Sequence, residues 1–222
     1  GDWFEALMEF LPHARDGAVR RRFESLAALY LEQLTNADGR TTFVFEPDWT
    51  PVPGPQEFGY NFQASHRMVA AEALLPGCGL AERGEAVAVH GFRNARRKGG
   101  GYAFSDGVKR RGPVDLSRLE PRRRAWWVQF EALRAAAVLS VRPGRRQEAF
   151  GRVLERQWRY MTRSLLDGRF GGVYPTDPAD LLPWGRPFLG RDVRYAGKGN
   201  LTKDASHDAD GLVASIAALR GS

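Results

Sequence analysis

Apolar residues recur at threes and fours along most of this chain, and nearly every such run stops at a glycine or proline signal. Phe4, Leu7, Met8 and Leu11 predict a helix over Trp3–Leu11, closed by Pro12. Phe23, Leu26, Ala27, Tyr30 and Leu34 predict a second over Val19–Leu34, stopped at Asn36-Ala-Asp-Gly39. Met68, Ala71, Leu74 and Leu75 predict a third over Gln63–Leu75, with His66 in its first turns and Pro76-Gly77 as terminator. Gly79–His90 reads as a further helix. Pro121 is placed to begin one that runs through Trp126 to Pro143-Gly144. Arg145–Asp167 carries the longest helical signal, and a last helix spans about Ser206 to Leu219, with Ser206 or Asp204 as its cap. Between these runs, Thr41–Glu46 alternates like a short strand and Tyr102–Phe104 reads as a short extended piece. Arg169–Asn200 is aromatic, Pro- and Gly-rich and without lasting period, so its rings must pack as an ordered loop or lie beside a ligand. The pattern predicts an all-α assembly with short strands in its loops, the loops gathering at one end.

The stretch RAWWVQFEAL, Arg124 to Leu133, carries the most chemistry. On a helix, Trp127 and Glu131 are four residues apart and share a face, while Trp126, Phe130, Leu133 and Ala137 form the neighbouring apolar stripe. An indole beside a fixed carboxylate suits a sugar, whose ring offers an apolar C–H face to the indole and hydroxyl donors to the acid. The plainer reading of the same residues is a core helix with one ion-paired glutamate.

Composition changes this picture little. A hydrophobic content of 43% excludes disorder throughout, and 222 residues suffice for one sizeable core. The lone Cys78 excludes an internal disulfide and a cysteine metal cage. No stretch resembles a signal peptide and no apolar run approaches membrane-spanning length, so the sequence predicts a cytoplasmic chain without a membrane partner. The formal charge of +7 is local: from Arg93 to Arg124 eleven Lys or Arg face only Asp106, Asp115 and Glu120. Aromatics do not alternate with these charges as a stacking platform requires, and nucleic acid is not expected as a partner.

Two histidines stand out. His207, in KDASHDAD, falls at the start of the last helix, where the positive end of the helix dipole favours a neutral, proton-accepting ring. His66 is the second, and no metal-ligand spacing joins either one to a nearby His or Cys. His13 and His90 read as structural.

In order along the chain, RAWWVQFEAL, the turn DGRFGGVY after a long helix, and GKGNLTKDASHD before a final helix resemble the C-terminal half of the N-acylglucosamine 2-epimerase and cellobiose 2-epimerase family. That family's corresponding patterns are roughly K-x-W-W-x-Q-x-E, G-G-W-Y and K-G-x-x-W-K-x-x-Y-H, and FEALMEF and EPDWTPVP fit its upstream course. The resemblance implies an (α/α) toroid of paired helices, here about half of a six-hairpin barrel, with residues 1–222 a single domain that is a partial or C-terminal portion. It also implies a sugar site at one mouth, where two histidines exchange a proton beside the sugar carbonyl through an enediolate, with no metal or cofactor. His207 takes the position of the C-terminal catalytic histidine, and Trp126, Trp127 and Glu131 take sugar-platform positions, with Gln129, Tyr60 and Gln63 as further substrate-binding candidates. For the other catalytic histidine, which opens a helix in a G-H-x-x-E pattern, two registers compete. GYNFQ puts Tyr60 there, and SHRMV supplies His66, which is preferred because it keeps an imidazole at a helix start. Ala6 stands where many members carry a third histidine, in a His-x-x-Glu pattern of which Glu9 survives.

The expected function is therefore a sugar 2-epimerase or aldose–ketose isomerase with a small-molecule sugar as partner and His66 and His207 as acid and base. Two rivals stand beside it: a catalytically degenerate carbohydrate-binding or interaction module on the same scaffold, and a glycosidase-like toroid using Glu131 with Asp208 or another acid. Half a toroid leaves an apolar flank uncovered, which makes self-association a further expectation.

Overall fold

The computed structural model describes residues 2–15, 17–107, 122–169, 171–177, 180 and 206–221. Among the described residues seven α-helices follow one another: α1 Asp2–Phe10, α2 Gly17–Leu29, α3 Phe58–Ala71, α4 Leu80–Asn94, α5 Trp126–Val141, α6 Gln147–Ser164 and α7 Gly211–Arg220. A π-helical turn, Tyr30–Leu34, extends α2, and another, Ser206–Asp210, leads into α7.

Helix α5 is the centre. Eleven of its sixteen residues are buried, as expected of a helix that is apolar around its whole circumference, and it packs against α3, α6 and α7. Ala132, Ala135, Ala136 and Ala137 let those neighbours approach closely, while Val128 and Leu139 fill a core shared with Phe58, Phe62, Phe92 and Phe150. Helices α3 and α4 meet through glycine: a β-carbon on Gly84 would stand 2.8 Å from the Ser65 carbonyl, and one on Gly91 2.8 Å from the Phe62 ring. A second core joins α1, α2 and α3 around Phe4, Phe23, Tyr30 and Met68.

The helices are those the periodicity predicts, with shifted ends. Helix α3 starts five residues before the expected Gln63, because Phe58 and Phe62 are drawn into the core and extend the helix towards its N-terminus. It ends at Ala71, where the Glu72 carboxylate takes hydrogen bonds from the backbone N–H groups of Gly77 and Ala81. His66 is therefore the ninth residue of its helix, and Tyr60 the one in the first turn, against the expectation that placed the imidazole at the helix start. Helix α5 begins at Trp126, after an extended Ala125, so Pro121 does not open it. Thr41–Glu46 is not a strand: it pairs only at isolated bridges, Thr35 with Thr41 and Phe45 with Pro51, too few for a stable hairpin. Among the described residues the loops hold such single bridges and no strand. Most of Arg169–Asn200, including Trp184, Phe188 and Tyr195, lies outside the described residues, as do Asp204 and the side chain of Ser206.

Loop 122–125 is fastened from behind. The Arg124 guanidinium reaches Asp180 at 2.7 Å and Asp177 at 3.0 Å, and the Tyr160 hydroxyl donates to Asp177 at 2.8 Å. This network fixes the point at which α5, and hence its two tryptophans, starts.

Candidate functional site

The N-terminal half of α5, the middle of α3 and the turn before α7 converge on one carboxylate. Glu131 is 5% exposed, and both of its oxygens are occupied by imidazoles. His66 Nε2 lies 2.6 Å from Oε2, and His207 Nδ1 lies 2.8 Å from Oε1. Burial alone would raise the glutamate's pKa; the hydrogen bonds and charges of His207 and His66 outweigh it and hold the carboxyl well below the usual carboxylate range. An ionised carboxylate only accepts, so each histidine donates through the nitrogen that faces it. Neutral His207 then carries its proton on Nδ1, which makes Nε2 the basic nitrogen of that ring.

The two imidazoles occupy different surroundings. His66 is 2% exposed, and burial lowers its pKa despite the opposing pull of Glu131; the charges of Arg134 and Arg67 act in the same direction as burial. Those arginines share Glu5 of α1, Arg67 at 2.5 Å and Arg134 at 3.3 Å. Burial tends to raise the Glu5 pKa, and the two guanidinium groups overcome it and lower it. His207, by contrast, is half-buried, with its ring 5.4 Å from Trp126 and 5.6 Å from Trp127.

Trp127 is the middle of an aromatic wall. Tyr60 packs on it at 5.4 Å and Phe104 meets it edge-on at 5.9 Å; Phe43 in turn packs on Tyr60 at 5.0 Å. Tyr60 remains 39% exposed. His207 and Tyr60 thus flank the same indole, which sits four residues, one helical turn, before Glu131.

Of the residues singled out from sequence, the structure brings together Trp126, Trp127, Glu131, His66, His207 and Tyr60. Trp126 is largely core, packed with Phe130, Met161 and Leu165, and offers His207 only an edge. Gln63 is half-buried on α3, three residues after Tyr60. Gln129 is a correction. It is completely buried, and its amide is spent on the backbone: it donates to the carbonyls of Tyr102 at 2.7 Å and Ala125 at 3.1 Å and accepts from the Tyr102 N–H at 2.9 Å. It pins the 102 loop to α5, which leaves its amide no free group to offer a substrate. For a glycosidase-like site the same burial bears on Glu131: a carboxylate held as an anion by two imidazoles is a poor proton donor and does not suit the acid's role. Ala6 and Glu9 are exposed on α1, and it is Glu5 that turns toward the site.

Sequence reading missed Glu5, Arg67, Arg134, Phe43 and Phe104. Nothing in their local pattern marks them, since each matters only through a neighbour distant in sequence.

No family model matches the sequence, and no curated protein matches it. Solved structures do. The chain superimposes on a sugar epimerase from a ruminal bacterium with a TM-score of 0.72 at 18% identity, covering 99% of this chain and 52% of that one. Cellobiose 2-epimerase from Spirochaeta thermophila DSM 6192 gives 0.72 at 18%, with 98% and 51% covered, and a D-mannose isomerase gives 0.71 at 16%, with 99% and 53% covered. The fold is a portion of an α/α toroid. The chain spans about half the length of the solved structures it matches. Among the described residues no helix is long and apolar enough to cross a membrane.

Proposed function

We propose that this chain carries the proton-transfer end of a sugar epimerase or aldose–ketose isomerase, with His207 as the acid/base group. The observation that carries the reading is the Glu131 carboxylate, buried and ionised, with His207 held on one oxygen beside the exposed face of the aromatic wall. The resemblance of the fold to sugar epimerases and a mannose isomerase supports the same class.

In this reading the sugar lies with its C–H face on Trp127 and Tyr60. His207 Nε2 takes the proton from the carbon next to the carbonyl, and the electron pair of that C–H bond moves to make the enediolate, its charge on the former carbonyl oxygen. Return of a proton to the opposite face of the same carbon restores the carbonyl and gives the epimer; return to the former carbonyl carbon, with the neighbouring hydroxyl proton passing to the former carbonyl oxygen, gives the ketose. As the ring becomes imidazolium, the Glu131 anion stabilises it, which raises the basicity of Nε2 in the step that needs it. His66 acts through Glu131: a ring this buried cannot touch the sugar, but it fixes the second carboxylate oxygen and so the plane in which His207 is presented. Tyr60, which packs on the same indole as His207 and keeps part of its surface exposed, is the side chain this reading assigns as the partner acid.

The test is solvent exchange. Incubation with aldoses in deuterated water is expected to label C2, and His207→Ala is expected to remove the label while sugar still binds. Absence of labelling across a broad panel of aldoses, disaccharides and N-acylated sugars would sink the proposal. The burial of His66 favours one rival, a module that binds sugar on the Trp127 wall without turnover. That rival predicts binding lost in Trp127→Ala and no exchange in the unmodified chain.

A further inference from the structure

A cavity of about 550 Å³, away from the aromatic wall, is walled by Arg93, Arg96, Arg97, Lys98 and Arg156 and has no acidic residue in its lining. Like charges gathered around a concavity repel, and proteins ordinarily relieve that with local acids. Here the relief is withheld. On α6, Arg152 pairs with Glu148 and Arg159 with Glu155, each four residues earlier, whereas Arg156 has Arg152 at that position. Among the described residues none of the five cavity cations makes an ion pair. The Nε of Arg97 is buried and without a hydrogen-bond acceptor, so this guanidinium is not satisfied by the protein around it.

The rest of the wall is prepared for close approach. Gly99, Gly100 and Gly101 have φ of 91°, 106° and 70°, so three successive residues run in the left-handed region and present backbone rather than side chains. Their position is fixed: β-carbons on Gly100 and Gly101 would stand 2.8 and 2.5 Å from the ring of Tyr160, and the carbonyls of Gly99 and Gly100 accept from Arg163 and Arg124. At the end of this loop Tyr102 is held by Gln129, and Gln157 donates to Gln129 in turn. A pre-formed site loses little to ordering when it binds.

We infer that this cavity is a binding site for a small phosphate-bearing anion, separate from the sugar wall and independent of the sugar reading. Guanidinium forks match phosphate oxygens in pairs, and the cavity has the size of a small-molecule pocket. A single-stranded nucleic acid would need exposed rings interleaved with the cations; the one aromatic in this lining, Tyr102, is buried in the core with Phe62 and Phe92.

Calorimetric titration of the 222-residue chain with pyrophosphate, and separately with inorganic phosphate, at an ionic strength held constant with chloride, tests the site. Pyrophosphate is expected to saturate one site and to bind more tightly than phosphate. Arg97→Gln and Arg156→Gln should each weaken pyrophosphate about ten-fold, the loss of one charge-assisted pair, while Arg152→Gln leaves it unchanged. Because Arg156 is exposed, its variant keeps the test valid if Arg97→Gln unfolds. The inference is overturned if no heat exceeds the chloride control, if Arg156→Gln binds pyrophosphate like the unmodified chain, or if a single-stranded RNA binds through these arginines and pyrophosphate does not. His207→Ala should leave pyrophosphate binding intact, so this result and the exchange assay fail or succeed separately.

Discussion

The ring of Trp127 occupies the space that a side chain on Gly59 would need: a β-carbon there would lie 2.1 Å from Cζ3. The first turn of α3 thus lies flat against the indole, and Tyr60, the next residue, takes its place on the wall as a consequence. Gly59→Ala is expected to push the indole aside at a cost of roughly 1–3 kcal/mol, the usual penalty for overpacking. Chemical denaturation reads the loss, and a shifted tryptophan emission reads the displaced ring. Unchanged stability would mean that the wall is not packed as described.

His66 gives folding a pH dependence. Its pKa is lowered in the folded protein, by burial above all, so below the ordinary histidine value of about 6.5 the unfolded chain binds a proton that the folded chain resists. Stability is fully present above that value and falls on acidification, by at most about 1.4 kcal/mol per pH unit for one proton. His66→Gln, which keeps a donor toward Glu131 and cannot titrate, should flatten the slope of unfolding free energy between pH 7 and 5.

Glu131→Gln removes the charge that both imidazoles address. Two charge-assisted bonds weaken in a buried place, and the expected loss is about 3 kcal/mol. The glutamate's lowered pKa adds a second acid-sensitive component, present above its unfolded value of about 4.3 and lost as pH falls toward the folded one; the variant should lack it. Deuterium exchange, if the proposed chemistry holds, should fall in Glu131→Gln through slower turnover more than through weaker sugar binding.

Arg124→Ala tests the fastening behind the tryptophans. It leaves Asp177 and Asp180 uncompensated in a mostly buried setting, which costs roughly 3 kcal/mol. Trp126 begins α5 directly after this loop, so a near-ultraviolet dichroism change should accompany the lowered melting temperature. A melting temperature equal to that of the unmodified chain would show that α5 starts where it does for other reasons.

By itself the sequence determined the helices and their order, because apolar spacing and terminators such as Pro76-Gly77 and Pro143-Gly144 act over a few residues. It also determined that Trp127 and Glu131 share a helical face, since four residues make about one turn. It left open where α3 begins, and with that which of Tyr60 and His66 stands at the helix start: the extra turns come from burying Phe58 and Phe62 against α4 and α5, a contact no local pattern encodes. Gln129 looked like a polar contact for substrate because an amide inside WWVQFE has no visible partner; its partners are the backbone of Tyr102, 27 residues earlier. The joining of His66 and His207 through Glu131 likewise spans 65 and 76 residues. Only the packing of α3 and α7 onto the two sides of α5 decided that one buried carboxylate would hold two histidines, and that just one of them would sit at the aromatic wall.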